Sequence, residues 1–265
     1  MMLEENGVRV AAVSYDSQET LAAFAQKHTI GFPLLSDKSS ETIRRFGIFN
    51  SNMGPDLRAY GVPHPVNYLV APDGTVLHKY FVPNYLHRVS GSAVALREFG
   101  TVNPDAPFVC LESGALTVQI SFASATAFAG QELAYRAQFA LQPGWHIYGP
   151  TVPPPFAATS ITFERPNVLD QRLALPDPQV LNFPNPGEAA SVYSGSFQGV
   201  GALLLKHPLP EGNLTLSGLL TFQQCSDTVC EPPETLPFEL TLTLEPFLIS
   251  DREREQRQQK GAREQ

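Results

Sequence analysis

Cys225 and Cys230 stand five positions apart at the end of a strand-like run, Leu219-Leu-Thr-Phe-Gln-Gln-Cys-Ser-Asp-Thr-Val-Cys-Glu-Pro-Pro-Glu-Thr235. The loop is short enough to close as a disulfide, yet closing a ring of this size stabilises a chain by only about 2 kcal/mol through loop entropy. A staple is one reading of the pair; thiol chemistry is the better motivated one. In thiol–disulfide exchange a thiolate attacks a disulfide sulfur, a mixed disulfide forms, and a second nearby thiol resolves it. The two Cα atoms must come within roughly 4.4–6.8 Å, which a short loop bounded by β-structure can achieve. Zinc would need two further ligands at suitable spacing. His207 is the nearest histidine and stands alone, so neither metal nor cofactor is expected. The third cysteine, Cys110 in Pro107-Phe-Val-Cys-Leu-Glu112, reads as a buried unpaired thiol; a relay between domains is the alternative.

The elements that must position these residues fall into two parts. Of the 24 prolines, 18 lie from Pro104 onward. Before that point strands and helices alternate. Residues 8–14 form a continuous apolar run suited to a buried parallel strand. Asp16 is placed to cap a helix, with Glu19 reaching back. A second helix fits 39–46, with Gly47 at its C′ position. Strands at 67–70 and 75–81 flank a Pro72-Asp-Gly74 turn, and 90–99 is weakly helical. The later part is nearly all β, with strands predicted at 116–122, 133–139, 160–163, 202–205, 214–222 and 236–244. Such spacing predicts an antiparallel sandwich. The polar end, 249–265, is expected to be disordered.

The bulk numbers fit two soluble units. The chain has 265 residues, and no apolar run approaches a membrane span. Its net charge of −8 argues against a nucleic-acid partner. The first residues, Met1-Met-Leu-Glu-Glu-Asn-Gly7, show neither the basic nor the apolar region of a secretion signal.

Four segments of the first part form a recognisable set: Gly7-Val-Arg-Val-Ala-Ala-Val-Ser-Tyr-Asp-Ser17, Leu21-Ala-Ala-Phe-Ala25, Ile30-Gly-Phe-Pro-Leu-Leu-Ser-Asp37 and Tyr60-Gly-Val-Pro-His-Pro-Val-Asn-Tyr-Leu-Val-Ala-Pro-Asp-Gly74. Together they resemble the thioredoxin-like redoxins of the AhpC/TSA type over about residues 7–85. The resemblance implies a cis-proline at Pro65, facing the active cysteine and pairing with extended partner peptides. It also implies a reactive cysteine after a central strand, whereas residues 1–103 contain none. A truncated chain is the expected explanation, and a natural degenerate domain the alternative. Ser14, Ser36 and His64 offer no convincing substitute nucleophile pair.

In the second part, Pro143-Gly-Trp-His-Ile-Tyr-Gly-Pro150, Val192-Tyr-Ser-Gly195 and the cysteine segment through Pro-Pro-Glu-Thr235 are similar to the periplasmic N-terminal domain of the thiol:disulfide interchange protein DsbD. The likeness spans about 113–247, and it implies an immunoglobulin-like sandwich in which Cys225 and Cys230 exchange. Tyr148, with Trp145 and His146 nearby, would cover the sulfurs, and the loop at 182–197 would cap them. The family's acidic-aromatic cluster is replaced by Ala189-Ala-Ser-Val-Tyr193, which leaves Tyr193 as the candidate lid. For Trp145, a place in the sandwich core is an equal reading.

The expected organisation is therefore a partial α/β thioredoxin-like redoxin domain (1–103) that lacks its cysteine-bearing strand and helix, a linker (104–112), an all-β immunoglobulin-like sandwich (113–248) and a polar tail. The expected activity is thiol–disulfide exchange through Cys225 and Cys230, serving reduction of peroxide or of protein disulfides. Expected partners are thioredoxin-like or membrane-bound exchange proteins in the periplasm or another extracytoplasmic space. The rivals are a non-catalytic docking sandwich with a permanent disulfide, and a peroxidase first domain beside an inert spacer.

Overall fold

The computed structural model describes residues 2–57, 60–81, 87–182 and 189–246. The predicted polar tail and the centre of the 182–197 loop lie outside the described residues.

The first part contains α1 (Met2–Glu5), β1 (Ala12–Ser14), α2 (Gln18–Lys27), β2 (Leu34–Ser36), α3 (Glu41–Arg45), β3 (Val66–Val70), β4 (Val76–Phe81), β5 (Arg88–Val89) and α4 (Gly91–Phe99). Ser17, not Asp16, caps α2, its side chain accepting from Thr20 N at 3.3 Å. Asp16 is already engaged, because Ser14 Oγ donates to its carboxylate at 2.5 Å. The apolar run at 8–14 yields only the three-residue β1, paired in parallel with β2. β3 and β4 form a separate antiparallel hairpin, and the two small sheets are not joined to each other. Apolar side chains such as Val13, Leu35 and Leu77 consequently stay 43–54% exposed.

The expected cis bond before Pro65 is absent; among the described residues the cis bonds are Pro154–Pro155 and His207–Pro208. The default trans form of an X-Pro bond is retained unless neighbours demand otherwise. Here the segment is held extended by a Phe49–Pro63 bridge and by His64 N donating to Ile48 O at 2.7 Å.

The second part contains β6 (Phe108–Ser113), β7 (Leu116–Phe122), β8 (Thr126–Phe128), β9 (Gln131–Leu141), β10 (Trp145–Tyr148), β11 (Ser160–Phe163), β12 (Val168–Ala174), β13 (Gln179–Asn182), β14 (Ala189–Ser194), β15 (Ser196–Leu205), β16 (Gly212–Phe222), β17 (Gln224–Ser226) and β18 (Glu234–Glu245). The main sheet runs β12-β15-β9-β7-β6. A second sheet runs β11-β16-β18-β8, and a third runs β13-β14-β10-β17. Alternating residues of the first two sheets interdigitate in one core that includes Ile120, Phe122, Tyr135, Phe163, Leu203, Leu220, Phe222 and Leu240. Gly201 lies opposite Tyr135 in register, and the tyrosine ring occupies the space a Cβ would need. Such an aromatic-over-glycine pair fixes β9 against β15.

Two boundaries differ from expectation. Residues 108–112, expected as linker, belong to β6, an edge strand of the main sheet. Within β6, Val109 and Leu111 pack on the core, so the pleat turns Cys110 outward and it is exposed rather than buried. The last elements of the first part also pack onto the second. β5 pairs in parallel with β9, Arg88 opposite Gln131 and Val89 opposite Glu132. Helix α4 buries Ala93 and Leu96 against Ala123 and Ala134, with Val89, Val102 and Val200 around them. Arg97 of α4 reaches Glu132 at 2.5 Å, and Arg172 of β12 takes the other Glu132 oxygen at 2.6 Å. The β3–β4 hairpin is tied to the same helix through Tyr80 and His78, both on Glu98.

Candidate redox site

β16 runs out at Phe222, and the chain steps through Gln223 into the short strand β17, which lies along β10. The turn after it is tight. Ser226 Oγ accepts from Thr228 N and Val229 N, and Ser226 N donates to Val229 O at 2.7 Å. Glu231 N donates to Gln224 O at 3.0 Å. These two backbone bonds straddle Cys225 and Cys230, which therefore face each other as a non-hydrogen-bonded antiparallel pair, the closer of the two kinds of cross-strand pair. Their Cα atoms are 4.1 Å apart, and the sulfurs are joined as a disulfide. Cys225 is 1% exposed, whereas Cys230 stands on the surface. One residue of the bonded pair is buried and the other is exposed.

Strand pairing decides what surrounds Cys225. His146 lies opposite Cys225, and Tyr148, two residues on, lies opposite Val192 on the same face. Tyr148, Val192, Ala190 and Cys225 form a small cluster, with Val152, Phe156 and Leu181 packed around it. The Tyr148 hydroxyl is 3.5 Å from Cys225 Sγ and 3.6 Å from Cys230 Sγ. Disulfide sulfurs carry no proton, so the phenol is the donor in both contacts. Burial pushes the Tyr148 hydroxyl pKa up, which keeps that proton in place. His146 packs edge-on to Tyr148, ring centroids 5.6 Å apart. Its pKa is lowered chiefly by burial, against an opposing pull from Asp227. It is therefore neutral near pH 7.

The remaining expected site residues are placed elsewhere. Trp145 pairs with Ser226 and Tyr193 with Ile147, on the opposite face of the same sheet, against the main core. Tyr193 stacks on Phe197 at 4.6 Å and donates to Pro176 O at 2.9 Å. It is core and does not serve as the lid, because one residue of pleat separates it from the sulfur face. Pro65 lies in the β3–β4 part and belongs to no element of the cysteine cluster.

A cover that sequence reasoning missed lies between β10 and β11. The strap at 151–158 leaves β10 at Gly149, where a Cβ would come within 2.6 Å of Ser191 Oγ. Ser191 then grips the strap's start, accepting from Thr151 N at 2.8 Å and donating to Thr151 O at 2.9 Å. Phe156 of the strap packs on Tyr148 with its ring tilted by 35°, the centroids 4.8 Å apart. Among the described residues no cluster of three or more His, Cys, Asp or Glu is placed to hold a metal ion. Among the described residues, likewise, no helix is long and apolar enough to cross a membrane.

Comparison with known proteins matches both parts. Residues 2–79 match the AhpC/TSA family, and residues 115–242 match the family described as thiol:disulfide interchange protein DsbD, N-terminal. Peroxiredoxin Bcp of Escherichia coli (strain K12) is 34% identical over 80 residues, 29% of this chain and 49% of the relative. The chain thus spans about half the length of the curated relatives it matches. The N-terminal periplasmic domain of ScsB from Proteus mirabilis aligns at 20% identity over 57% of this chain and 56% of that chain, with a TM-score of 0.38. The reduced DsbD N-terminal domain of Neisseria meningitidis aligns at 13% identity over 57% of this chain and 98% of that chain, with a TM-score of 0.30. The chain thus joins a segment that matches the AhpC/TSA family, residues 2–79, to a β-sandwich that matches the DsbD N-terminal family, residues 115–242.

Proposed function

We propose that this protein is a thiol–disulfide exchange protein whose working pair is Cys225–Cys230. The observation that carries this reading is the asymmetry of the bond: an exposed Cys230 is joined to a buried Cys225 beside a phenol donor. A partner thiolate attacks Cys230 Sγ, the Cys225–Cys230 bond breaks, and Cys225 leaves as a thiolate that accepts the Tyr148 proton in a hydrogen bond. The partner's second thiolate then attacks its own sulfur in the mixed disulfide and releases Cys230. Two electrons have passed to the pair and the partner is now a disulfide. The reverse sequence, beginning from the Cys230 thiolate, reduces a partner disulfide.

Partners of this chemistry are thioredoxin-like or membrane-bound dithiol proteins, and an extracytoplasmic setting suits a disulfide that must persist between encounters. A cysteine-bearing redoxin is the natural recipient of the electrons, with peroxide or protein disulfides as the final acceptor; residues 1–103 hold no thiol to fill that role by themselves. A redox titration read by mass tagging should show Cys225 and Cys230 opening and closing together and reversibly. If replacing both by serine leaves exchange with thioredoxin-like partners unchanged, the assignment fails.

The phenol supplies a further test. A hydrogen bond to a charged group contributes about 1.5–3 kcal/mol, so Tyr148→Phe should slow reduction of the pair by dithiothreitol roughly 10- to 100-fold. The ring and its packing on Phe156 are kept in this variant, and unchanged kinetics would show that the hydroxyl does not assist the leaving sulfur.

A further inference from the structure

Gln223 is 7% exposed and sits between β16 and β17, immediately before the cysteine segment. Both ends of its amide are used. Its Oε1 accepts from Ala157 N in the middle of the strap at 2.9 Å, and its Nε2 donates to Glu231 O, one residue past Cys230, also at 2.9 Å. A single side chain therefore holds the cover over Tyr148 and the open half of the disulfide loop together. The strap's ends have their own anchors, Ser191 on Thr151 and Tyr148 O accepting from Thr159 N at 2.9 Å. Gln223 ties the strap's middle to the cysteine loop.

We propose that Gln223 is a positioning residue that couples the strap at 151–158 to the redox state of Cys225 and Cys230. This rests on the exchange reading of the pair. When the sulfur–sulfur bond opens, the two sulfurs separate to van der Waals distance and Cys230 carries Glu231 with it. The Glu231 carbonyl then leaves the Gln223 amide, the amide is freed to turn, and Ala157 loses its acceptor. Phe156 loosens from Tyr148, while Tyr148 itself stays over the Cys225 thiolate. Because coupling is reciprocal, the latch must also favour the closed bond.

The test compares Ala157 amide hydrogen exchange in the oxidised and reduced wild-type protein, with the equilibrium against glutathione measured for two variants. Ala157 protection should fall at least tenfold on reduction. Gln223→Met, which fills the site and makes neither bond, should shift the glutathione equilibrium about tenfold toward the dithiol, roughly 30 mV. Gln223→Glu keeps an acceptor for Ala157 and loses the donor to Glu231, and should shift it in the same direction. Equal Ala157 protection in both redox states would overturn the coupling. So would variants that lower Tm yet keep the wild-type equilibrium, the signature of a merely structural amide. A pair that does not reduce reversibly would instead remove the exchange reading beneath it.

Discussion

Replacing Cys225 by serine should turn the protein into a trap. The variant retains Cys230, the exposed cysteine of the pair, and loses the thiol that resolves a mixed disulfide. Incubated with an oxidised thioredoxin-like protein, or with glutathione disulfide as the small-molecule control, it should accumulate a covalent adduct at Cys230. Replacing Cys230 by serine leaves Cys225 as the one thiol of the pair, buried beside Tyr148. Exchange requires access as well as thiolate character, so that variant should form adduct more slowly by roughly a hundredfold. The protein partner should discriminate more sharply than glutathione, because a folded partner reaches a buried sulfur less readily than a small molecule does. Intact mass over time reads both numbers, with each variant carried on a Cys110→Ser background so that the exposed third thiol adds no adduct. Equal trapping by the two variants, or faster trapping at Cys225, would reverse the assignment of attacked and leaving sulfur.

Replacing Glu132 by alanine should be the most destabilising single change at the junction of the two parts. The Glu132 side chain is 8% exposed and faces two guanidinium groups, Arg97 at 18% and Arg172 at 58% side-chain exposure. Removing one member of a buried ion pair leaves the other uncompensated, at a cost of about 3–5 kcal/mol. Most of that falls on Arg97, because Arg172 can turn to water. Denaturant midpoints should show the loss. Amide exchange should show it concentrated in α4 and β5, which carry Arg97 and pair with β9 at Glu132 itself. A Glu132→Gln variant, which keeps the volume and one acceptor oxygen, should recover part of it. A uniform loss across the sandwich would mean that the ion pairs do not hold the junction.

Much of this arrangement was legible in the chain. Alternation along Leu116–Phe122 and Gly212–Phe222 marks strands with one face in a core, and the structure places them there. The cysteine spacing with Tyr148 upstream also led to the right neighbourhood. Trp145 and Tyr148 are an odd number of residues apart on one strand, so the pleat alone forbids both from covering the same sulfurs. That signal was present and unused. Phe156 and Gln223 were not legible, because their roles arise from a strap folded back by hydrogen bonds to residues up to 66 positions away. The trans bond at Pro65 reflects a tertiary setting that local sequence does not encode. The extent of β6 was hidden by prolines and acidic residues that read as linker, although its pairing with β7 is regular along its length.

The way α4 and β5 sit on the sandwich bears on how such proteins could be assembled by recombination. The start of the second family match at residue 115 is not the point where the folded body can be parted, because α4 and β5 already lie on the sandwich. A sandwich transplanted from residue 104 onward would leave Ala123, Ala134 and Val200 as a bare greasy patch on its main sheet. A graft that begins near His87 would bring its own roof.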